Sequence, residues 1–371
     1  MRRVFLPILM LAGLLQILQP ADAQVPGKKP VPAPKKRKVA VRKPPPVDPT
    51  VGDNIDGDDL TVRRAAVEAL GAQNGSVVVV DPSNGRVLSI VNQKLAFSSG
   101  FTPCSTIKLV TALAALSEHV VERDDTLRLS RYMSFNLTEA ITHSNNEYFS
   151  ELGTRLGFDR VARYAKMMGL GETAGLDIPG EKPGGLPDGP PKAGGMGLLT
   201  AYGSGFFVTP LELAALVSAI ANGGTLYYMQ YPRTSGEIEQ FGPKVKRSLE
   251  LAPNGIDDVK IGMRGAVDHG TARLANYDPN EPLFGKTGTC KDYQAGEFMG
   301  WFGSFLDTEP HRLVVVVMLA SPLHTVSGPL ASAVAGAVYK NLAQQHYTVA
   351  GRRTDLPEII TTTTTASGPS R

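Results

Sequence analysis

Three short stretches of this sequence hold residue types able to transfer an acyl group. Ser105-Thr106-Ile107-Lys108 sets a hydroxyl and an amine three residues apart, on one face and one turn from each other if the segment is helical. A lysine takes the proton of a serine only when neutral, so its pKa must fall from about 10.4 to near 7, which costs roughly 4 kcal/mol. Burial beside Ile107, Leu109 and Val110, with a second cation nearby, would supply that. A serine at a helix start also gains from free backbone N–H groups, which favour a developing oxyanion. Ser144-Asn145-Asn146 offers a second hydroxyl and a carboxamide between two helical runs. Lys286-Thr287-Gly288-Thr289 offers a cation, hydroxyls and a glycine on a strand. That surface suits a carboxylate lying along the backbone, where glycine would let the substrate approach closely. Each stretch alone arises by chance, and a solvated lysine on an ordinary helix is its plain reading. The three together, in this order, form a strong conjunction.

Competing chemistries find no support. No Gly-x-Ser-x-Gly or His-Glu-x-x-His occurs, and the six histidines form no pair at helical spacing, which leaves a Ser-His-Asp triad or a zinc site without residues. Residues 169–174, Gly-Leu-Gly-Glu-Thr-Ala, imitate a dinucleotide loop but follow a helix rather than a strand, and read as a helix stop.

The elements that must hold these residues follow from pattern and turn chemistry. A helix is predicted over 60–70, then a hairpin of 76–81 and 86–91 joined by Pro82-Ser83-Asn84-Gly85. A helix should begin near Ser105, and others cover 137–142, 147–156 and 160–168. Thr209-Pro210-Leu211-Glu212 combines a cap, a proline at the first helical position and a glutamate that reaches back; the helix it starts should stop at Asn222-Gly223-Gly224. Residues 283–289, 298–306 and 313–319 read as strands, with a last helix over 329–344. This order predicts an α+β fold, an antiparallel sheet that collects strands from both ends of the chain and is flanked by helices.

The 371 residues are 42% apolar and 20% charged, enough for a large core and incompatible with wholesale disorder or a multispanning membrane protein. Arg2 and Arg3 precede an apolar run over 4–18, and Ala21-Asp22-Ala23 stands ahead of Gln24, the order of a secretory signal peptide cleaved after residue 23. Retained as an anchor, that run would fall short of the ~20 residues needed to cross a bilayer. The expected compartment is therefore the periplasm or another extracytoplasmic space. Residues 24–58 read as a Pro- and Lys/Arg-rich solvated linker, 59–347 as one catalytic domain and 348–371 as a disordered tail. Residues 1–50 carry a local charge of +8 and the remainder −5, so the overall +3 describes neither part. Lys35-Lys36-Arg37-Lys38 reads as a spacer, or as a contact for an anionic envelope polymer rather than nucleic acid.

With these motifs the chain resembles the penicillin-binding protein and serine β-lactamase superfamily, which is marked by Ser-x-x-Lys, Ser-x-Asn and Lys-Thr-Gly. It looks most like the transpeptidase domain of class B penicillin-binding proteins, over roughly residues 60–345. Residues 79–88 are similar to the family's opening hairpin, 175–181 to its mid-domain segment, and Gly203-Ser204-Gly205 with 209–214 to its glycine loop and helix. The resemblance implies a sheet with an all-helical lobe, no metal or cofactor, and specific roles. Ser105 would be acylated and Lys108 would be its base. Ser144 would pass the proton to the leaving amine, supported by Lys286. Asn146 would bind the substrate backbone, Thr287 and Thr289 the terminal carboxylate, with Gly288 between them, and the N–H groups of Ser105 and Thr289 would form the oxyanion hole. The substrate would be the D-alanyl-D-alanine end of a peptidoglycan stem peptide, mimicked by β-lactam antibiotics. Only 39 residues separate Ser105 from Ser144, which implies a trimmed helical lobe.

If both oxyanion donors point at one atom, Cys104 and Cys290, their chain neighbours, must lie close together. A disulfide would close a loop of about 186 residues, worth ~5 kcal/mol in the chain-entropy model; a buried free pair is the alternative. A D,D-transpeptidase or carboxypeptidase is the leading expectation. A serine β-lactamase is an alternative, although no glutamate is assignable to activate water, and Asn146 departs from the apolar residue usual in class D enzymes. A non-catalytic penicillin-sensing or wall-binding module is the third.

Overall fold

The computed structural model describes residues 48–347, apart from 279 and 309–311. The expected signal peptide, most of the expected linker and the expected tail lie outside the described residues. In chain order, α1 (Leu60–Leu70) leads into a hairpin of β1 (Gly75–Asp81) and β2 (Arg86–Val91). A tight 3₁₀ turn, Cys104–Ile107, runs into α2 (Lys108–Ser117), followed by α3 (Leu137–Thr142), α4 (Asn146–Leu156) and α5 (Phe158–Met167). Then come α6 (Gly195–Tyr202), α7 (Pro210–Ala221) and α8 (Gly255–Asp268). The chain returns through β3 (Leu283–Asp292), β4 (Glu297–Leu306) and β5 (Leu313–Ser321) to α9 (Gly328–Gln344).

The five strands form one antiparallel sheet in the order β2-β1-β5-β4-β3, so both ends of the chain contribute and β3 is an edge. Both faces are covered, which explains why β1 and β5 read as unbroken valine runs rather than alternating ones. Val77, Val79, Val315 and Val317 face α1 and α9, packing with Ala65, Ala66, Ala335 and Val338. Val78, Val80, Val314 and Val316 face the other way, into the core shared by α7 and the helices of the lobe. The predicted α+β architecture is the one observed.

Local signals explain the best-defined elements. Asp81 accepts from Ser83 N and Asn84 Nδ2, and Gly85 turns at φ +79°, which closes the β1–β2 hairpin. The capping box of α7 is complete: Thr209 N donates to Glu212 Oε2 (2.7 Å) and Glu212 N to Thr209 Oγ1 (3.0 Å). Buried Glu212 also accepts from Gly171 N and Gly184 N, joining three loops. Asp59 caps α1, and Tyr347 OH donates to Asp59 Oδ2 (2.9 Å), so the two ends of the domain meet.

The linker assignment needs correction at residues 48–58. Arg63 pairs with Asp53 (2.7 Å) and Asp58 (3.2 Å) where all three side chains are largely buried, and Asp53 accepts from Asn92 N and Gln93 N. Asp58 also accepts from Tyr231 OH and Ser89 Oγ. These acidic residues leave water only because buried partners receive them. A second difference is that α6 and α8, rich in glycine, are not called for by helix propensity. Gly262 and Gly265 of α8 let it press against Ile141 and Thr142 of α3, and Gly153 of α4 gives room to Thr200 of α6. Tertiary contact overrides the propensity penalty of glycine there.

Candidate active site

The site assembles where the nucleophile turn, the α3–α4 junction and the edge strand β3 meet. Ser105 sits in the tight turn just before α2, 8% exposed, and its hydroxyl donates to the Ala201 carbonyl (3.3 Å) at the end of α6. Cys104, immediately before it, holds φ +54°, a left-handed conformation that strains a residue with a Cβ. Lys108 opens α2 one turn later and is fully buried.

Ser144 is the left-handed cap of α3, at φ +53°, with Ser144 N donating to Ile141 O and Asn145 N to Ala140 O. The Asn145 side chain accepts from Tyr148 N (2.7 Å) and so starts α4. Two helix ends thus fix Ser144 and Asn146 from opposite sides. Asn146 Nδ2 in turn donates to Tyr202 OH (2.9 Å).

Lys108 Nζ contacts Ser144 O (2.7 Å), Ser144 Oγ (3.1 Å) and Asn146 Oδ1 (2.6 Å). Lys286 Nζ, from β3, donates to the same Ser144 Oγ (2.8 Å) and to Thr287 O (3.0 Å). Loss of hydration by burial pushes the Lys108 pKa down to about 6, and the neighbouring Lys286 cation pushes it the same way. Burial alone lowers Lys286 to about 7. A neutral amine has two N–H donors and one lone pair. For Lys108 the donors match Ser144 O and Asn146 Oδ1, so the lone pair faces its third contact, the Ser144 hydroxyl, whereas the Ser105 hydroxyl is turned to Ala201 O. Burial and the neighbouring Lys286 both favour the neutral amine that the sequence reading requires of Lys108.

On β3, Thr287 is buried with Oγ1 2.7 Å from Thr271 Oγ1, whereas Thr289 is exposed and its Oγ1 accepts from Gly328 N (2.7 Å) at the start of α9. The role expected for Gly288 is different here. A Cβ on Gly288 would meet Pro103 O at 2.9 Å and Cys104 Cβ at 3.2 Å, so the missing side chain admits the nucleophile turn rather than a substrate. Cys104 and Cys290 form a disulfide across this contact, with Cα atoms 5.5 Å apart, which settles the alternative left open by the sequence.

Two openings flank the site. A cavity of about 480 Å³ runs from Thr289 past Lys291 and Tyr293 to Tyr202 and Phe207. A groove of about 520 Å³ runs from Asn146 along Glu147, Ser150 and Glu151 of α4, and Tyr202 borders both. Sequence reasoning missed Tyr202 and Thr271, and also Asp292, which holds the nucleophile turn. Tyr202 directly precedes Gly203-Ser204-Gly205, the one local signal that marked its neighbourhood.

This arrangement gathers Lys108, Ser144, Asn146 and Lys286 at one point, with Ser105 one turn before Lys108, and comparison with known proteins identifies the family. The chain belongs to the penicillin-binding protein transpeptidase domain family, whose model matches residues 75–344. It is similar to stage V sporulation protein D of Bacillus subtilis, 28% identical over 316 residues that cover 71% of this chain and 48% of that protein. It is also similar to a peptidoglycan D,D-transpeptidase of Haemophilus influenzae, 23% identical over 340 residues covering 70% of this chain and 52% of the relative. The chain thus spans about half the length of these relatives. Among solved structures, penicillin-binding protein A of Mycobacterium tuberculosis superposes with a TM-score of 0.65 at 22% identity, covering 78% of this chain and 81% of the other. The transpeptidase domain of Burkholderia pseudomallei penicillin-binding protein 3 gives 0.65 at 20% identity, with 79% and 96% covered.

Proposed function

We propose that this protein is an exported serine D,D-transpeptidase or carboxypeptidase acting on the D-alanyl-D-alanine end of peptidoglycan stem peptides, with β-lactam antibiotics as trapping mimics. The observation that carries this reading is the buried Lys108, held near pKa 6 one turn from Ser105 and sharing Ser144 with Lys286. Lys108 takes the Ser105 proton as Oγ attacks the carbonyl carbon of the penultimate D-alanine. The tetrahedral oxyanion is held by the N–H groups of Ser105 and Thr289, a device worth ~3 kcal/mol per donor. Collapse breaks the C–N bond, Ser144 hands its proton to the departing D-alanine amine and takes in exchange the one Lys108 removed from Ser105, and Ser105 is left as an ester. An amine or water then attacks the ester, which yields transfer or hydrolysis. Asn146 binds the substrate backbone. Of the two threonines expected to hold the terminal carboxylate, each has one partner already, Gly328 N on Thr289 and Thr271 on Thr287, and Thr289 is the exposed one.

The signal peptide read at residues 1–23 supports an extracytoplasmic location, as does a disulfide, which persists in oxidising compartments. Among the described residues no helix is long and apolar enough to cross a membrane. The basic segment ahead of the domain suits an anionic envelope polymer better than a nucleic acid.

The test is an intact-mass time course of the mature protein with a modest excess of benzylpenicillin, following free antibiotic in the same tube. A stable single adduct with little antibiotic consumed is expected, and Ser105→Ala should lose the adduct while its melting temperature stays within a few degrees. A transient adduct with many turnovers would make the protein a β-lactamase. No adduct would favour a wall-binding module.

A further inference from the structure

We propose that the Cys104–Cys290 bridge, beyond any stabilisation it provides, is a positioning element of the acyl-transfer site that fixes the separation of the Ser105 and Thr289 amides. This rests on the acyl-transfer reading given above, in which those two amides receive the oxyanion. Each cysteine is the chain neighbour of one donor residue: the Ser105 amide nitrogen is bonded to the Cys104 carbonyl carbon, and the Thr289 amide nitrogen lies one residue backbone before Cys290. The amides come from structurally separate parts. Ser105 belongs to the turn that opens α2 in the helical lobe, and Thr289 to β3, the edge strand of the sheet, whose other neighbour is β4 alone. Nothing in the ladder of the sheet fixes the distance from an edge strand to a turn lying beside it.

Three further features mark this contact as one built to a distance. Cys104 is held at φ +54°, a conformation that favours glycine, which a residue with a tethered side chain keeps only if its surroundings impose it. Gly288, between Thr287 and Thr289, has no Cβ exactly where the Pro103 carbonyl and Cys104 Cβ lie. Upstream, Thr102 N and Oγ1 donate to Asp292 Oδ2 (3.1 and 3.0 Å), and Trp301 Nε1 donates to Thr102 O (3.0 Å). Asp292, at the end of β3, spends its other oxygen on Gln294 N and Ala295 N. These hydrogen bonds already dock the turn on the sheet at Thr102, three residues before the nucleophile. Between Thr102 and Ser105 the bridge is the covalent tie to β3, added to the packing of Pro103 O on Gly288 and the hydrogen bond of the Ser105 hydroxyl to Ala201 O. Opening the bridge keeps the turn docked but frees the two amides to drift, and a displacement near 1 Å at a reacting centre lowers rates by as much as ~10²-fold.

The experiment compares the mature wild-type protein with the Cys104→Ser, Cys290→Ser double variant, at a temperature where melting curves show both fully folded. Benzylpenicillin acylation is resolved into a binding constant and a limiting rate, and the acyl-enzyme carbonyl stretch is read by isotope-edited infrared spectroscopy. The expected result is a limiting rate lowered roughly tenfold or more, a binding constant changed less than about threefold, and a carbonyl band moved to higher wavenumber as its hydrogen bonds weaken. Should the variant not fold, the wild-type protein is titrated with a phosphine reductant under native conditions, and the limiting rate should fall in proportion to thiols released and return on reoxidation. A wild-type rate and an unmoved band in the open-bridge protein would overturn the proposal and leave the bridge a staple. Absence of an adduct on the oxidised wild-type protein would instead overturn the acyl-transfer reading itself.

Discussion

Lys108 and Lys286 reach the same hydroxyl oxygen, Ser144 Oγ, at 3.1 and 2.8 Å, from the start of α2 and from the edge strand β3. Two buried ammonium groups on one oxygen would repel strongly, so the pair is poised to hold fewer than two protons near neutral pH. Ser144, fixed between two helix ends, is the hydroxyl that joins the two amines, which is the basis of the proton relay proposed above.

This poise predicts a pH profile. The base form of Lys108 grows as pH rises through about 6, so benzylpenicillin acylation should increase from pH 5 toward pH 7. Above about 7 Lys286 loses the charge that supports Ser144, and the rate should level or fall. Because the Lys286 cation helps to lower the Lys108 pKa, Lys286→Met should move the rising limb to higher pH while reducing the rate. Stability carries the opposite bookkeeping of protons: the unfolded lysines hold theirs to about 10.4, the folded ones release them near 6 to 7, so their contribution to unfolding free energy increases with pH across that window. A rising limb that stays in place in Lys286→Met would refute the coupling.

Gly288→Ala tests the contact between β3 and the nucleophile turn. Its Cβ would sit 2.9 Å from Pro103 O, a backbone atom that cannot swing away, so strand or turn must shift. We expect a loss of about 1–3 kcal/mol in stability by urea unfolding. Acylation should fall at least tenfold, measured at a temperature where the variant is folded. Wild-type rates would show that the two elements tolerate separation.

Glu212→Gln tests a buried carboxylate remote from the motifs. Oε1 accepts from Gly171 N and Gly184 N, and Oε2 from Thr209 N, so the amide NH2 of glutamine must face a donor wherever it points. The expected cost is about 1–3 kcal/mol in thermal or urea unfolding. An unchanged midpoint would show that the three loops it joins are held by other contacts.

Much of the fold was legible because its signals are local. The turn Pro82-Ser83-Asn84-Gly85, the capping box from Thr209 to Glu212 and the valine runs of β1 and β5 each state their conformation within a few residues. The helices α6 and α8 were not legible, since Gly195, Gly197, Gly255, Gly262 and Gly265 lower helix propensity. At Gly262 and Gly265 the absent Cβ is also a notch for Ile141 and Thr142, partners more than a hundred residues away. The same holds for Asp53 and Asp58, which look like linker charges until Arg63 and Tyr231 are folded against them.

The sequence by itself singled out the residues proposed to carry the chemistry, Ser105 with Lys108, Ser144 with Asn146, and Lys286 through Thr289, because residue type and spacing within one helical turn or one strand are local properties. It also stated what Lys108 must become, a neutral amine near a second cation. Only the tertiary structure decided that this condition is favoured, since desolvation depends on everything packed around the amine and the second cation arrives from 178 positions later in the chain. It likewise decided that Cys104 and Cys290 are bonded and that the glycine between the two threonines faces the nucleophile turn, for the distance between an edge strand and a loop is set by packing and not by either segment alone.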